Sequence, residues 1–371
     1  MKLPGPARGL VLHGRGLVRM KLPGTLTVLP LSLLLAAACG GSEHKSGPAP
    51  ATTVASVNTT PPIREPTQAP PAQDEALVTA ESENRVLVVE LPSGRVVRSI
   101  PVPRDPEDIA AAPPAWGQGR LAVVTSAAAG DVTLLEGGAL RAVKVFGGFN
   151  APHIVELMPV VGGFVAYVTD DAQGTLSVID LSRRRVTSTI HVGAHAHHLG
   201  LDLIHQTAWV GLGESGSTIV ILSTENPAHP RVTARFDPGF EVHDLAFSSD
   251  GLKAWITSAN RREVSVLDGI DQQVLFRVPV GPPPQHVALA GRWAYLTSGY
   301  GGIIEQVDAA TGRILARAKS PYGSFELAAD GRYVVTSSLL RGTLAIYTPR
   351  LTLVRVVHLA PATREVALVE K

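Results

Sequence analysis

The chain has 371 residues and a single cysteine, so no disulfide forms within a monomer and no thiolate cage holds a metal. It also lacks an excess of either charge: 33 basic residues face 32 acidic ones, for a net charge of +1. That balance excludes a basic face for a phosphate backbone, and with it nucleic acid as a partner. There is no Gly-x-Ser-x-Gly elbow, no His-Glu-x-x-His, no Cys-x-x-Cys-His and no phosphate-binding glycine loop. Gly213-Glu-Ser215-Gly216 approaches the first but misplaces the last glycine, and Asp170-Asp171-Ala-Gln-Gly174 lacks the distal Glu of a calcium loop. No enzyme's catalytic set is legible. Aromatics are scarce at 5%, whereas 36 glycines and 29 prolines punctuate a chain rich in Val, Leu and Ala. Gly and Pro break helix interiors, so this composition suits many short strands joined by turns.

The amino terminus reads as an address. From Met20 a basic start leads into an apolar run, Thr25 to Ala38, and then to Cys39-Gly-Gly-Ser. A run of 14 residues is shorter than the ~20 that a spanning helix needs, and it fits a secretory signal. Cys39 follows Leu35-Ala36-Ala37-Ala38, which resembles the bacterial lipobox with its Leu one place early. The resemblance implies export, lipidation of Cys39 and attachment to a membrane facing the periplasm or the exterior. Residues 1–39 are thus the signal, of which 1–19 are expected to lie upstream of the true start at Met20. Residues 40–75 are rich in Pro, Ala, Thr and Ser and cannot bury a core, so they are expected to be a tether.

Residues 76–371 repeat. One phrase, two or three apolar residues and then Thr, ends at Thr79, Thr125, Thr169, Thr257, Thr297 and Thr336, with Gly211 in the fourth copy. Successive steps are 46, 44, 42, 46, 40 and 39 residues. Each phrase is followed by an alternating run such as Thr175-Leu-Ser-Val-Ile-Asp180 and a third such as Arg185-Val-Thr-Ser-Thr-Ile190. A period near 40 with four strands per unit predicts a propeller, here an all-β fold of seven blades. The copies resemble the YVTN repeat of lactonase-like propellers, most closely at Tyr167-Val-Thr-Asp170 followed by Val178-Ile-Asp180. The first blade lacks an innermost strand before Ala76, and Arg364-Glu-Val-Ala-Leu-Val-Glu370 is a spare one. The carboxyl-terminal strand is therefore expected to complete the first blade and close the ring.

Aligning the starts of the innermost strands at steps of 45, 45, 45, 43, 39 and 40 brings Asp108, His153, His198, His243, His286, Phe325 and Glu365 to one position. Four successive blades then carry histidine there, with His195 and His197 just before His198. Neutral imidazoles bind zinc or copper and carboxylates can complete a site, so these histidines with Asp108 and Glu365 are candidate ligands. Asp170, Asp171, Arg261, Arg262, Tyr300 and Arg341 are expected on solvated loops at the same mouth.

Three readings follow. The first is an anchored binding scaffold that shows its loop face to a protein or small ligand. The second is an envelope metal-binding protein for zinc or copper. It resembles exported propellers such as nitrous-oxide reductase only in the histidine ring, and lacks that enzyme's second domain. The third is a lactonase-like hydrolase using His153, His243 and Glu365.

Overall fold

The computed structural model describes residues 74–112, 119–213, 216–258 and 260–369. The signal with its lipobox, the tether before Asp74 and residues 214 and 215 of the near-elbow lie outside them. All described residues belong to one compact unit, Gln68–Lys371.

Seven sheets of four antiparallel strands follow one another along the chain. Blade 2 is typical: Pro106–Ala111 innermost, then Leu121–Ser126, Asp131–Glu136 and Arg141–Gly147. The same order recurs in blades 3 to 7, whose innermost strands are Pro152–Val160, Ala196–Asp202, Val242–Phe247, Val287–Ala290 and Leu327–Ala329. Blade 1 holds Glu75–Ala80, Arg85–Glu90 and Arg95–Pro101, and its innermost strand is the last of the chain, Val366–Val369. Val366 pairs with Val78 and Val369 with Glu75, so both ends of the chain share one sheet, as the spare strand predicts.

Burial explains the sequence pattern. Second strands are buried along nearly their whole length, and Leu121–Ser126 at every position, because a blade packs on each of their faces, so their apolar runs are continuous. Outer strands such as Arg141–Gly147 are largely exposed and carry polar residues. The core is not one mass but seven clusters, each between adjacent blades. One joins blades 2 and 3 through Val123, Leu134, Phe164 and Ile179, and another joins blades 7 and 1 through Val335, Ile346, Val78 and Val366. Each such Val, Leu or Ile contributes about 1.5–3 kcal/mol by leaving water.

The recurring Thr turns out to be a staple between blades. Thr125 Oγ1 donates to the carbonyl of His153 at 2.7 Å, Thr169 Oγ1 to that of His197 at 2.7 Å, and Thr257 Oγ1 to that of Gln285 at 2.7 Å. Thr297 does the same to Phe325, and Ser337 to Arg364. These hydroxyls reach from their own second strand to the start of the next blade's innermost strand; in blade 7 the repeat's Thr336 instead bonds Glu326 of its own blade and the neighbouring Ser337 takes its place.

Candidate metal centre

The Thr bonds also set the true register of the ring. The hydroxyls of Thr125, Thr169, Thr257 and Thr297 also accept from backbone N–H groups of their own blade, from Asp108 at 3.0 Å, Ile154 at 3.0 Å, Asp244 at 2.9 Å and His286 at 3.3 Å, and in blade 1 Thr79 accepts from Glu365 at 2.8 Å. Two adjacent rows result. The first is Glu107, His153, His197, His243, Gln285, Phe325 and Arg364. The second is Asp108, Ile154, His198, Asp244, His286, Glu326 and Glu365. The four aligned histidines therefore do not share one position: His153 and His243 stand in the first row, His198 and His286 in the second. The connections before the innermost strands differ in length, so a constant spacing slips between rows.

Neighbours in a regular strand point to opposite faces, but here the strands bulge. The register shifts between Pro106 and Ile109, Pro152 and Val155, Ala196 and Leu199, and Val242 and Leu245. Each shift leaves two residues out of the ladder and re-aims their side chains. His197 and His198 are such a pair, and their ring centroids lie only 4.6 Å apart.

Five imidazoles converge in this way. His153 stacks on His197 at 4.0 Å, and His198 lies 4.8 Å from His243 and 5.3 Å from His286. Their nitrogens form two trios, His153–His197–His198 and His198–His243–His286, with the ligand atoms of each within 4.8 Å of one another. His198 is 3% exposed, and neither of its ring nitrogens makes a hydrogen bond. A neutral imidazole carries one donor and one acceptor, and leaving both unused in the interior is costly.

Carboxylates stand behind the rings. His153 Nδ1 donates to Glu107 Oε2 at 2.6 Å, and His286 Nδ1 lies 2.8 Å from Glu326 Oε2 and 3.5 Å from Asp244 Oδ2. A carboxylate on Nδ1 fixes the tautomer and leaves Nε2 with its lone pair free, the usual second layer of a histidine metal site. Glu107 is itself held by Arg364 at 3.2 Å.

The electrostatics separate one ring from the others. Burial and then the neighbouring imidazoles push His197 down to about 2, and His198 well below the usual range. Burial and then His286 push His243 down to about 4. These three stay neutral and ligand-ready at physiological pH. At His286 burial opposes the charge, but Glu326 and Asp244 override it and raise the ring to about 10. Burial would raise Asp244 and Glu326, yet facing His286 holds both below their usual values.

Other expected site residues lie elsewhere. Asp108 accepts the backbone N–H of Ile109 at 2.7 Å and of Val155 at 2.6 Å, and belongs to neither trio. Glu365 accepts from Val366 N–H at 2.9 Å and also lies outside both. Both carboxylates line a channel cavity of about 590 Å³ with Glu156, Asp244 and Glu326. Burial foremost raises Asp108 to about 7, Glu156 to about 8 and Glu365 well above its usual value. His195 is exposed on the rim, 3.1 Å from Asp171 Oδ1, while His197 Nδ1 lies 3.5 Å from Asp171 Oδ2. Asp170 is not a solvated loop residue. It is fully buried and accepts from the N–H groups of Asn150, Ala151 and Gln173. On the other side the histidines line a basin of about 280 Å³, with Tyr300, Phe325 and Arg364. Glu107, Asp244 and Glu326 were not singled out by sequence. Each is the chain neighbour of a residue that was, but the distance from Thr back to these rows varies from blade to blade, so no fixed spacing points to them.

No protein-family model matches the chain, and no curated protein matches it by sequence. Solved structures resemble it in fold. Apo AztD from Citrobacter koseri shares 11% identity at a TM-score of 0.61, covering 81% of this chain and 98% of its own. A functionally unknown protein from Desulfotomaculum acetoxidans shares 14% at 0.69, covering 80% of this chain and 98% of its own. The dihydro-heme d1 dehydrogenase NirN, solved with DHE, shares 16% at 0.58, covering 84% of this chain and 78% of its own. At these identities the likeness is one of fold. The class is thus a seven-bladed all-β propeller with a buried histidine cluster at one mouth of its channel.

Proposed function

We propose that this chain is a metal-binding protein of the cell envelope, exported and lipid-anchored through Cys39, that holds zinc or copper in its histidine cluster. One observation carries the reading: His198 is buried among four other imidazoles with both nitrogens unbonded. A borderline-soft ion such as Zn²⁺ or copper satisfies those lone pairs, and an all-imidazole set suits both metals. His197, His198 and His243 need lose no proton to bind, because burial already keeps them neutral. His286 gives up its proton when it ligates, and Glu326 and Asp244 then steady the charge of the ion. The binding-scaffold reading rests on the fold alone and has no residue of its own. The hydrolase reading gains nothing from the geometry, since the Glu365 carboxyl is tied to Val366 N–H in the channel wall.

The test is the metal content of the untagged full chain, measured by elemental mass spectrometry after incubation with zinc and with copper. A variant with His153, His198, His243 and His286 replaced by Ala is measured beside it. Stoichiometric metal in the parent and none in the variant supports the reading, and none in either overturns it. The anchor is tested apart: Cys39→Ser moves the protein from the membrane fraction to the soluble one.

A further inference from the structure

We propose that the cluster takes two ions rather than one, bridged by the imidazole of His198. This rests on the metal reading above and deepens it. The five rings do not form one group. They form two trios that share a single member, His198. Ligand nitrogens around one zinc sit about 2.0–2.1 Å from it, so two of them are at most about 4.2 Å apart. The five nitrogens do not all lie within 4.8 Å of one another, so one ion does not take all five rings.

His198 is built to serve both sides. Its Nδ1 faces Asp244, 3.7 Å from Oδ1, and the other oxygen of that carboxylate lies 3.5 Å from His286 Nδ1. Nδ1 is thus on the side of His243 and His286. In the bridged arrangement Nε2, on the other side of the rigid ring, serves His153 and His197. The ring is held between the two sets, 4.6 Å from His197 and 4.8 Å from His243. Neither nitrogen is engaged by any hydrogen bond that would choose between them. One ion binds the nitrogen that carries the lone pair. As the second binds the other, the ring N–H proton passes to solvent and an imidazolate links the two ions. The outer ion then has His153, His197 and His198, the inner one His198, His243 and His286. Each trio leaves a fourth tetrahedral position open, as ions that exchange ligands require.

The experiment loads the untagged full chain with zinc alone, and separately with copper(II) alone, and counts bound ions per chain by native mass spectrometry. His197→Gln and His243→Gln, which keep most of the side-chain volume, are treated alike. The expected result is two ions in the parent and one in each variant. In the copper(II) form the electron paramagnetic resonance signal per copper should be weakened in the parent, where the spins couple through the shared ring. It should be full in either variant. One ion in the parent, lost in both variants, would overturn the bridge while leaving a single metal site standing. Two ions with an uncoupled copper spectrum would overturn it as well. No ion in the parent would remove the metal reading and the bridge together.

Discussion

Thr169 Oγ1 donates to the carbonyl oxygen of His197 across the junction of blades 3 and 4, at 2.7 Å. The residue that marks the repeat in the sequence is therefore also the one that anchors the backbone of a histidine in the candidate metal centre. Its hydroxyl accepts the N–H of Ile154 at 3.0 Å as well, so both of its roles are used in the interior. Thr169→Val keeps the shape and leaves two buried backbone groups unpaired. It is expected to cost about 1–3 kcal/mol and to weaken metal binding by releasing His197. Denaturant melts and a zinc titration on the same variant check both effects. Lost stability with unchanged affinity would mean that the staple holds the fold alone.

Glu107 acts through His153. Glu107→Gln removes the charge that fixes the His153 tautomer but keeps the side chain's length and its hydrogen-bonding capacity. Loss of such an outer partner typically lowers metal affinity by about 10–100-fold. That loss, read by competition with a chelator, should come with unchanged strand content by circular dichroism. An unchanged affinity would remove His153 from the site.

The metal-free protein should lose stability as pH rises from about 8 to 10. His286 is held protonated by Glu326 and Asp244 up to about 10, against 6.5 for a free imidazole. A group raised on folding contributes fully below its unfolded value and loses that contribution as pH climbs through its folded one. Asp108 and Glu156, raised by burial to about 7 and 8, lose theirs at lower pH in the same direction. His243 and His197, lowered to about 4 and 2, act oppositely and only on the acid side of 6.5. Glu365, raised well above its usual value, acts in the same direction in both proteins, so the difference between parent and variant from 8 to 10 reports on His286. Urea midpoints across that interval should fall more steeply in the parent than in His286→Gln. Parallel curves would refute the assignment.

Ending the chain after Pro361 removes the strand Val366–Val369 and opens blade 1. Val366 and Val369 are 3% and 5% exposed, so their burial alone is worth about 3–6 kcal/mol. The lost ladder with Glu75–Ala80 also exposes a sheet edge. The truncated chain should melt well below the parent or without a cooperative transition in differential scanning calorimetry. Melting at the parent's temperature would show that the ring closes without this strand.

The sequence revealed the blades because a second strand packed on both faces carries a continuous apolar run, as at Leu121–Val124, and a staple must be Thr or Ser. Closure was legible for a related reason, since a blade short of one strand needs a partner from somewhere. The convergence of His153, His198, His243 and His286 was legible as a ring. Its two-row order was not, because bulges at the strand starts shift neighbours such as His197 and His198 without leaving a mark in residue type. The supporting charges stayed hidden for a different reason. An isolated Glu107 or Glu326 looks like any surface acid until the fold sets an imidazole against it.

The shared first blade has one more consequence. The last strand starts beside Glu365, at the histidine mouth, and ends at Val369, which pairs with Glu75 on the far side of the ring. The first blade therefore begins, at Glu75, on the face opposite the imidazoles, and the last described strand ends on that same face at Val369.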